Sequence, residues 1–345
     1  MVIPLEDAIL RLALELQGLS AHEEARAELI LRELEGDLRQ LVASRTLTGS
    51  NKRDIDAIIK AAEEAIHARY GAAAGIVDMH GLVLMVADRT VDAMAAAYPA
   101  INAMRPSAER LASLAKNVLI EGAPTKAWWA KQDEDTAFRF AQAVRQGVVN
   151  GETNERIVAR VAGKNGVLDL SRRHARTLVH SSIMSAANMA RWETFKGSFA
   201  DTSPGVKWLA TLDSHTCPTC GALDGQAWDW DMKPIRGSKM LFTMPPRHAN
   251  CRCILSPLPP SFDDIFGASG LDEMFGNIGA RASSEGPQKS GTTFSDFLKR
   301  QSPDFVERVL GKRRADLYLA GKLNLSDLVT KTGRPLTLDE LKAGA

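Results

Sequence analysis

An excess of charge of either sign is what this chain most plainly lacks: 43 Lys and Arg stand against 42 Asp and Glu in 345 residues. Without a net polycation the whole composition does not advertise nucleic-acid binding, and without an acidic excess it does not describe a disordered chain. The balance covers a local asymmetry, because residues 1–66 hold 13 acidic and 8 basic side chains while 281–345 hold 12 basic and 8 acidic. Long apolar runs are also missing, and none reaches the roughly 20 residues of a membrane helix. The start, MVIPLEDAILRLALELQ, is acidic and amphipathic where a signal peptide would run basic, apolar, then small. The expectation is a soluble protein of a reducing, intracellular compartment. Cysteine is scarce, and all four residues, Cys217, Cys220, Cys251 and Cys253, fall inside one 37-residue window. In a reducing compartment such clustering favours metal ligation over disulfides.

A 45% hydrophobic content can fill a core, and the length allows two or three domains. The first half reads as helix. Leu31, Leu34, Leu38 and Leu41 recur at spacings of three and four, as do Ile55, Ile59, Ala62 and Ile66, which lays an apolar stripe along each helix. Gly71 and Gly147 are expected to end helices, and Pro106 with Ser107 to start one. The stretch AAGIVDMHGLVLMVADRT reads equally as helix or short hairpin. Thr153 is expected to cap a short helix ahead of a longer one from Ser171 to about Thr194. VKWLATL and RCILSPL have the composition of strands that flank the cysteines. Residues after Ser256 are rich in Pro, Gly and Ser, with isolated Phe262, Ile265 and Phe275, as in a connection draped over a surface. The tail returns to helix, with Thr293 or Ser295 as caps and Pro303 opening a further helix. The expected fold class is α+β, mostly α. It comprises a helical N-terminal domain or arm (1–150), a small Cys/His α+β module (151–255), an extended linker (256–292) and a C-terminal helical segment (293–345).

In the run CPTCGALDG two thiolates two residues apart can grip one tetrahedral ion, and Gly221 is read as permitting a positive-φ turn. The run HANCRC then offers His248, Cys251 and Cys253. Five donors exceed the four that zinc takes. The expected set is Cys217, Cys220, His248 and Cys251, with Cys253 either replacing Cys251 or buried beside the site. A disulfide clasp or ordinary buried thiols are the competing readings. A catalytic metal would keep an open position with an acid or base beside it, so the expected role of zinc is structural, in place of a core. Arg236, Lys239, Arg247 and Arg252 lie near the cysteines with Trp228, Trp230 and Phe242 between them, an arrangement that could meet phosphates and stack bases. The blander reading makes those rings the module's core. Asp213, His215 and His180 have no spacing that fixes them as a hydrolase or nuclease centre, so no enzyme is expected.

The window resembles the phage Mu F-like head morphogenesis family, or minor head proteins. The resemblance rests on Thr211, Asp213, Cys217, Pro218, Cys220, Leu223, Asp224, Gly225, Pro246, His248, Asn250, Cys251, Arg252 and Cys253. Upstream, Ala175, Arg176, Thr177 and Asn188 fit the family's Arg-Thr helix, and FLKRQSPDFVERVLG and GRPLTLDEL look like segments that follow the domain. The similarity spans roughly residues 150–345. It implies a structural virion protein inside a tailed-phage head near the portal vertex, present in the host cytoplasm during assembly. The implied partners are the portal protein, the major capsid protein and packaged double-stranded DNA, with no membrane and no small-molecule substrate. The implied work is head morphogenesis, with DNA packaging or delivery. A zinc-dependent DNA-binding module inside the virion is the alternative.

Overall fold

A computed structural model describes residues 5–44, 47, 51–99, 102–258 and 280–343. Most of this is helix: α1 (Leu5–Ala43), α2 (Lys52–Ala74), α3 (Met79–Ala97), α4 (Ala108–Lys116), α5 (Thr125–Val149), α6 (Asn154–Ala162) and α7 (Val167–Phe199). Between α4 and α5 lies a small hairpin of β1 (Leu119–Ile120) and β2 (Ala123–Pro124). The ambiguous stretch is therefore helical, as α3. The chain divides into two compact units. One comprises Met1–Leu16, Val83–Leu114 and Ala186–Ala345, and the other Gln17–Leu82 and Ala115–Ser185.

The second of these is all helix apart from the hairpin. On α2, Ile58, Ile59, Ala62, Ile66, Tyr70 and Ala73 are buried at helical spacing, and they face Trp129, Phe140, Ala141 and Val144 of α5. The expected α1 stripe is present as Leu31, Leu34 and Leu38, continued by Val42 in place of the half-buried Leu41. Inside this core a chain of hydroxyls links Tyr70 to Thr136 (2.9 Å) and Thr136 to Ser171 (2.8 Å). Buried polar groups of this kind are tolerated because each finds a partner. The α1 and α7 segments of the unit are tied by ion pairs of Arg172 with Glu35 and of Arg176 with Glu24 and Glu28. His180 Nδ1 meets Ser20 Oγ at 3.0 Å.

Two glycine expectations change. Gly71 lies inside α2, which runs on to Ala74 and is capped by Gly75. Gly147 is buried inside α5, and a Cβ there would lie 2.5 Å from Ile157 of α6. It marks a close helix–helix approach, not a stop. Thr153 occupies the N-cap of α6, as its sequence suggests, with extended backbone but no side-chain cap bond. One helical stretch, Lys52–Ala97, contains an 18-residue window apolar enough for a membrane helix by composition (mean hydropathy 1.5), and a break between Ala74 and Met79 divides it into α2 and α3.

The other unit holds a four-stranded antiparallel sheet. Its strands are β3 (Val206–Leu209), β4 (Ala227–Trp228), β5 (Pro234–Ile235) and β6 (Ile254–Pro257), in the order β5-β4-β3-β6. Val206 pairs with both Trp228 and Pro257, so of the two strand-like stretches flanking the cysteines β3 is central and β6 is its neighbour at the sheet edge. Between β3 and β4 sits the short helix α8 (Pro218–Leu223). Beyond β6, the expected linker from 256 to 292 has two parts. Residues 259–279, with Phe262, Ile265 and Phe275, lie outside the described residues. Residues 280–292 carry a hairpin of β7 (Ala280–Arg281) and β8 (Gln288–Lys289).

Helices α9 (Phe294–Leu298), α10 (Pro303–Leu310), α11 (Lys312–Leu319) and α12 (Leu338–Ala343) complete the unit, with a 3-10 turn at Leu325–Leu328. Thr293 caps α9 in a reciprocal capping box with Asp296, and Ser302 caps α10, with Pro303 at its first turn. One core joins sheet and tail: Trp208 and Trp228 pack with Phe294, Phe297, Phe305, Val306 and Leu328.

Candidate metal centre

Three segments deliver the cysteines and histidine. Cys217 is the N-cap of α8, with Pro218 in the first turn, and its Sγ accepts the Cys220 N–H at 3.4 Å. A helix N-terminus supports negative charge, so this is a natural seat for a thiolate. Cys220 lies in the same turn. His248 and Cys251 close a second turn through the Cys251 N–H and the His248 carbonyl (3.1 Å), with Asn250 between them at φ 59°. Asn accepts that left-handed conformation more readily than other non-glycine residues. Cys253 follows immediately before β6 and is buried.

All five expected donors meet here, as two triads that share Cys220. One is Cys217, Cys220 and His248; the other is Cys220, Cys251 and Cys253; within each, the ligand atoms lie no more than 4.8 Å apart. His248 Nε2 is 3.1 Å from both Cys217 Sγ and Cys220 Sγ, and Cys220 Sγ is 3.8 Å from Cys251 Sγ. Tetrahedral coordination with metal–sulfur bonds of about 2.3 Å gives a sulfur–sulfur edge of about 3.8 Å. His248 Nδ1 contacts the Ala249 carbonyl at 2.8 Å. Donation to that carbonyl fixes the tautomer and leaves Nε2 as the coordinating lone pair, the usual support for a metal-bound imidazole. None of the four cysteines is in a disulfide. The donor set, its spacing and its support therefore fit a metal ion.

Without a cation, thiolate and imidazolium pair within the cluster, so a metal at Nε2 would take the place of the His248 proton. The Cys217 thiol, hydrogen-bonded by Cys220 and beside His248, is lowered to about 4, while His248, between Cys217 and Cys251, is raised to about 11. Burial pushes the Cys253 thiol up. The cluster thus already favours a thiolate at Cys217, and a cation at its centre would favour more of them.

Two arginine clasps that the spacing did not reveal hold the site's frame. Asp213 takes both arms of Arg252, at 2.6 and 2.7 Å, and also accepts the His215 N–H at 2.9 Å. This pins the loop entering Cys217 to the segment ahead of β6 that bears Cys251 and Cys253. Deeper in the unit, the Asp224 of the Leu-Asp-Gly turn is buried against Arg281, with contacts of 2.8 and 2.9 Å. Asp224 also accepts the N–H groups of Ala210 (2.7 Å) and Phe294 (2.6 Å), and Arg281 donates to the Thr292 carbonyl at 2.6 Å. One carboxylate thereby joins β3, α8, the β7–β8 hairpin and α9. Gly221 serves the same junction. It is helical, and a Cβ on it would lie 2.5 Å from the Phe294 ring, so close packing, not a positive-φ turn, accounts for it. The left-handed glycine of the run is Gly225, at φ 82°.

The remaining sequence candidates are dispersed. Trp228 is buried, its indole N–H on the Met240 carbonyl, and it packs edge-on with Phe242, which contacts Trp192, which in turn contacts Trp230. Trp228 and Trp192 belong to the core, and Trp230 and Phe242 pack half-buried against it. Arg247 donates to the Thr332 carbonyl at 2.6 Å, so it fastens the C-terminal turn; Arg236 and Lys239 are exposed. Asp213 is occupied by Arg252, and His180 contacts Ser20 and Glu24 in the helical unit. Asn188 of α7 donates to the Cys253 carbonyl at 3.3 Å, which gives that residue of the resemblance a physical task.

Residues 139–256 match the family model described as Phage Mu protein F like protein. This segment is Mu F-like. The match covers about a third of the chain, from inside α5 to β6, and contains every candidate metal donor. It identifies a phage head-related segment. It begins earlier than the resemblance in sequence suggested and stops before the tail, so the likeness of 257–345 to Mu F-like proteins is not carried by it. No curated protein and no solved structure matches the chain.

Proposed function

We propose that this chain is a minor head protein of a tailed bacteriophage, a structural assembly component that docks on the portal and coat proteins inside the capsid. The observation that carries this reading is the Mu F-like segment and its coincidence with the part of the fold that holds the Cys/His cluster. In this reading the cluster binds one structural zinc through Cys217, Cys220, His248 and Cys251. Cys251 is favoured as the fourth ligand by its 3.8 Å separation from Cys220, and Cys253 lies buried beside the ion. The metal's task is to fasten the 217–220 turn to the 248–251 turn. In this reading Asp213, held by Arg252, and the thiols serve the frame and the metal.

The head role is tested by co-expressing the chain with portal and coat protein of the same phage and purifying assembled particles. Retention in portal-containing particles and loss from portal-free ones supports it; equal retention in both sinks it. The ligand set is tested by metal analysis of protein purified under reducing conditions. One zinc per chain is expected in the parent and in Cys253→Ser, and none in Cys220→Ser. Full zinc in Cys220→Ser would remove the cluster as the site.

A further inference from the structure

Beside the buried Asp224–Arg281 junction the chain forms an open cleft of about 840 Å³, lined by Lys289, Ser290, Gly291, Thr292, Asp296, Lys299 and Arg300. Lys289, Lys299 and Arg300 are exposed and form no ion pair among the described residues. The single carboxylate on the rim is already engaged. Asp296 Oδ2 accepts the Thr293 hydroxyl at 2.7 Å and the Thr293 N–H at 3.3 Å, and these bonds hold its carboxyl below the ordinary range. Arg300 spends its Nε on the Asp296 carbonyl at 3.1 Å, which orients the guanidinium and leaves its two terminal nitrogens for another acceptor.

The cleft is also built on a fixed base. Arg281 holds the Thr292 carbonyl and Asp224 holds the Phe294 N–H, so the loop between Lys289 and α9 is anchored at its inner end by a fully buried ion pair. Three cations are thus displayed on a supported concave surface against a single carboxylate, Asp296, whose charge Lys299 and Arg300 share, so the lining keeps a net positive charge.

We propose that this cleft binds the phosphodiester backbone of double-stranded DNA, independently of sequence. The chemistry of the lining selects that partner. Cationic side chains and small polar residues meet phosphates. An acidic peptide would need apolar or aromatic pockets for its side chains, and no large apolar residue lines the cleft. Single-stranded nucleic acid is held largely by stacking on aromatic rings, and no ring lines it either. The surface is separate from Arg236 and Lys239 near the cysteines. The inference deepens the head role, which would bring the chain beside packaged DNA, but it does not need the metal.

The test uses the full chain and a fluorescent duplex of arbitrary sequence, with affinity measured between roughly 50 and 200 mM salt. The parent is compared with Lys289→Gln/Lys299→Gln/Arg300→Gln and with Arg236→Gln/Lys239→Gln. Three phosphate contacts make the parent's log affinity fall more steeply with log salt, by about 2.7, than that of the triple variant. Across that fourfold range the difference amounts to roughly 40-fold. The Arg236/Lys239 variant should retain the parent's slope. Unchanged affinity and slope in the triple variant, tighter binding to single strand than to duplex, or equal competition by polyglutamate would each overturn the proposal. Unchanged zinc content and thermal unfolding in the triple variant verify that it folds. Because duplex affinity is read on purified protein and portal retention on assembled particles, either the cleft or the head role can fail without the other.

Discussion

At the scale of single residues, the chemistry is concentrated in side chains that make several bonds at once. Asp224 accepts from Arg281, Ala210 and Phe294 while buried, so its neutralisation leaves the buried Arg281 cation with only the neutral Thr292 and Ala210 carbonyls as partners. Breaking a buried pair from one side costs about 3–5 kcal/mol. Asp224→Asn should therefore lower the unfolding free energy by about that much in chemical denaturation. Adding Arg281→Met should recover part of it, because the stranded charge goes. No recovery in the double variant would mean that Asp224 acts mainly through its backbone N–H partners.

Glu24 offers a pH-dependent counterpart. Burial raises its pKa, but hydrogen bonds from His180 and Ser20 and the charges of His180 and Arg176 prevail and hold the carboxyl below its ordinary 4.5. A carboxyl depressed on folding contributes stability that is present above its unfolded pKa and lost as pH falls through the folded value. Melting temperatures of the parent and Glu24→Gln should thus differ at neutral pH and converge once the pH falls below the lowered value of the folded carboxyl. A gap that widens with acidification would contradict the assignment.

At the scale of elements, close approach decides more than propensity does. The α5–α6 contact depends on a missing Cβ at Gly147, beneath Ile157. Glycine inside a helix ordinarily costs about 0.5–1 kcal/mol relative to alanine, so on propensity alone Gly147→Ala should stabilise. The clash reverses the sign, and overpacking of this kind costs about 1–3 kcal/mol. Gly147→Ala is expected to lower the melting temperature, and Gly147→Ala/Ile157→Val to lie nearer the parent. A higher melting temperature for Gly147→Ala would show that α6 can shift at little cost.

At the scale of the whole molecule, the two compact units are held by different means. The helical one is held by apolar stripes and a hydroxyl chain. The other combines a small sheet and an aromatic core with the Cys/His cluster and two arginine clasps. Under the zinc reading, chelation should loosen the segment around the metal first. Hydrogen exchange measured after chelation is expected to accelerate across 206–257 and to leave α2 protected. Equal acceleration in both would argue against a local role for the metal.

What the sequence by itself determined was whatever depends on neighbours a few positions apart. Leu31, Leu34 and Leu38 announce a helix face because the helix repeats every 3.6 residues. Thr293 and Pro303 announce helix starts because caps act within one turn. The cysteine turns are legible because a CxxC and an HxxC each close locally. Only the tertiary structure decided that Gly147 and Gly221 admit a neighbouring element, that Arg252 and Arg247 are clasps, and that Arg281, beyond a proline- and glycine-rich stretch, lies in the core on Asp224. Those roles are set by partners ten to more than eighty residues away in the chain. Sequence spacing carries no record of such distances, whereas the cost of a buried charge or a crowded Cβ is felt only where folding brings the two groups together.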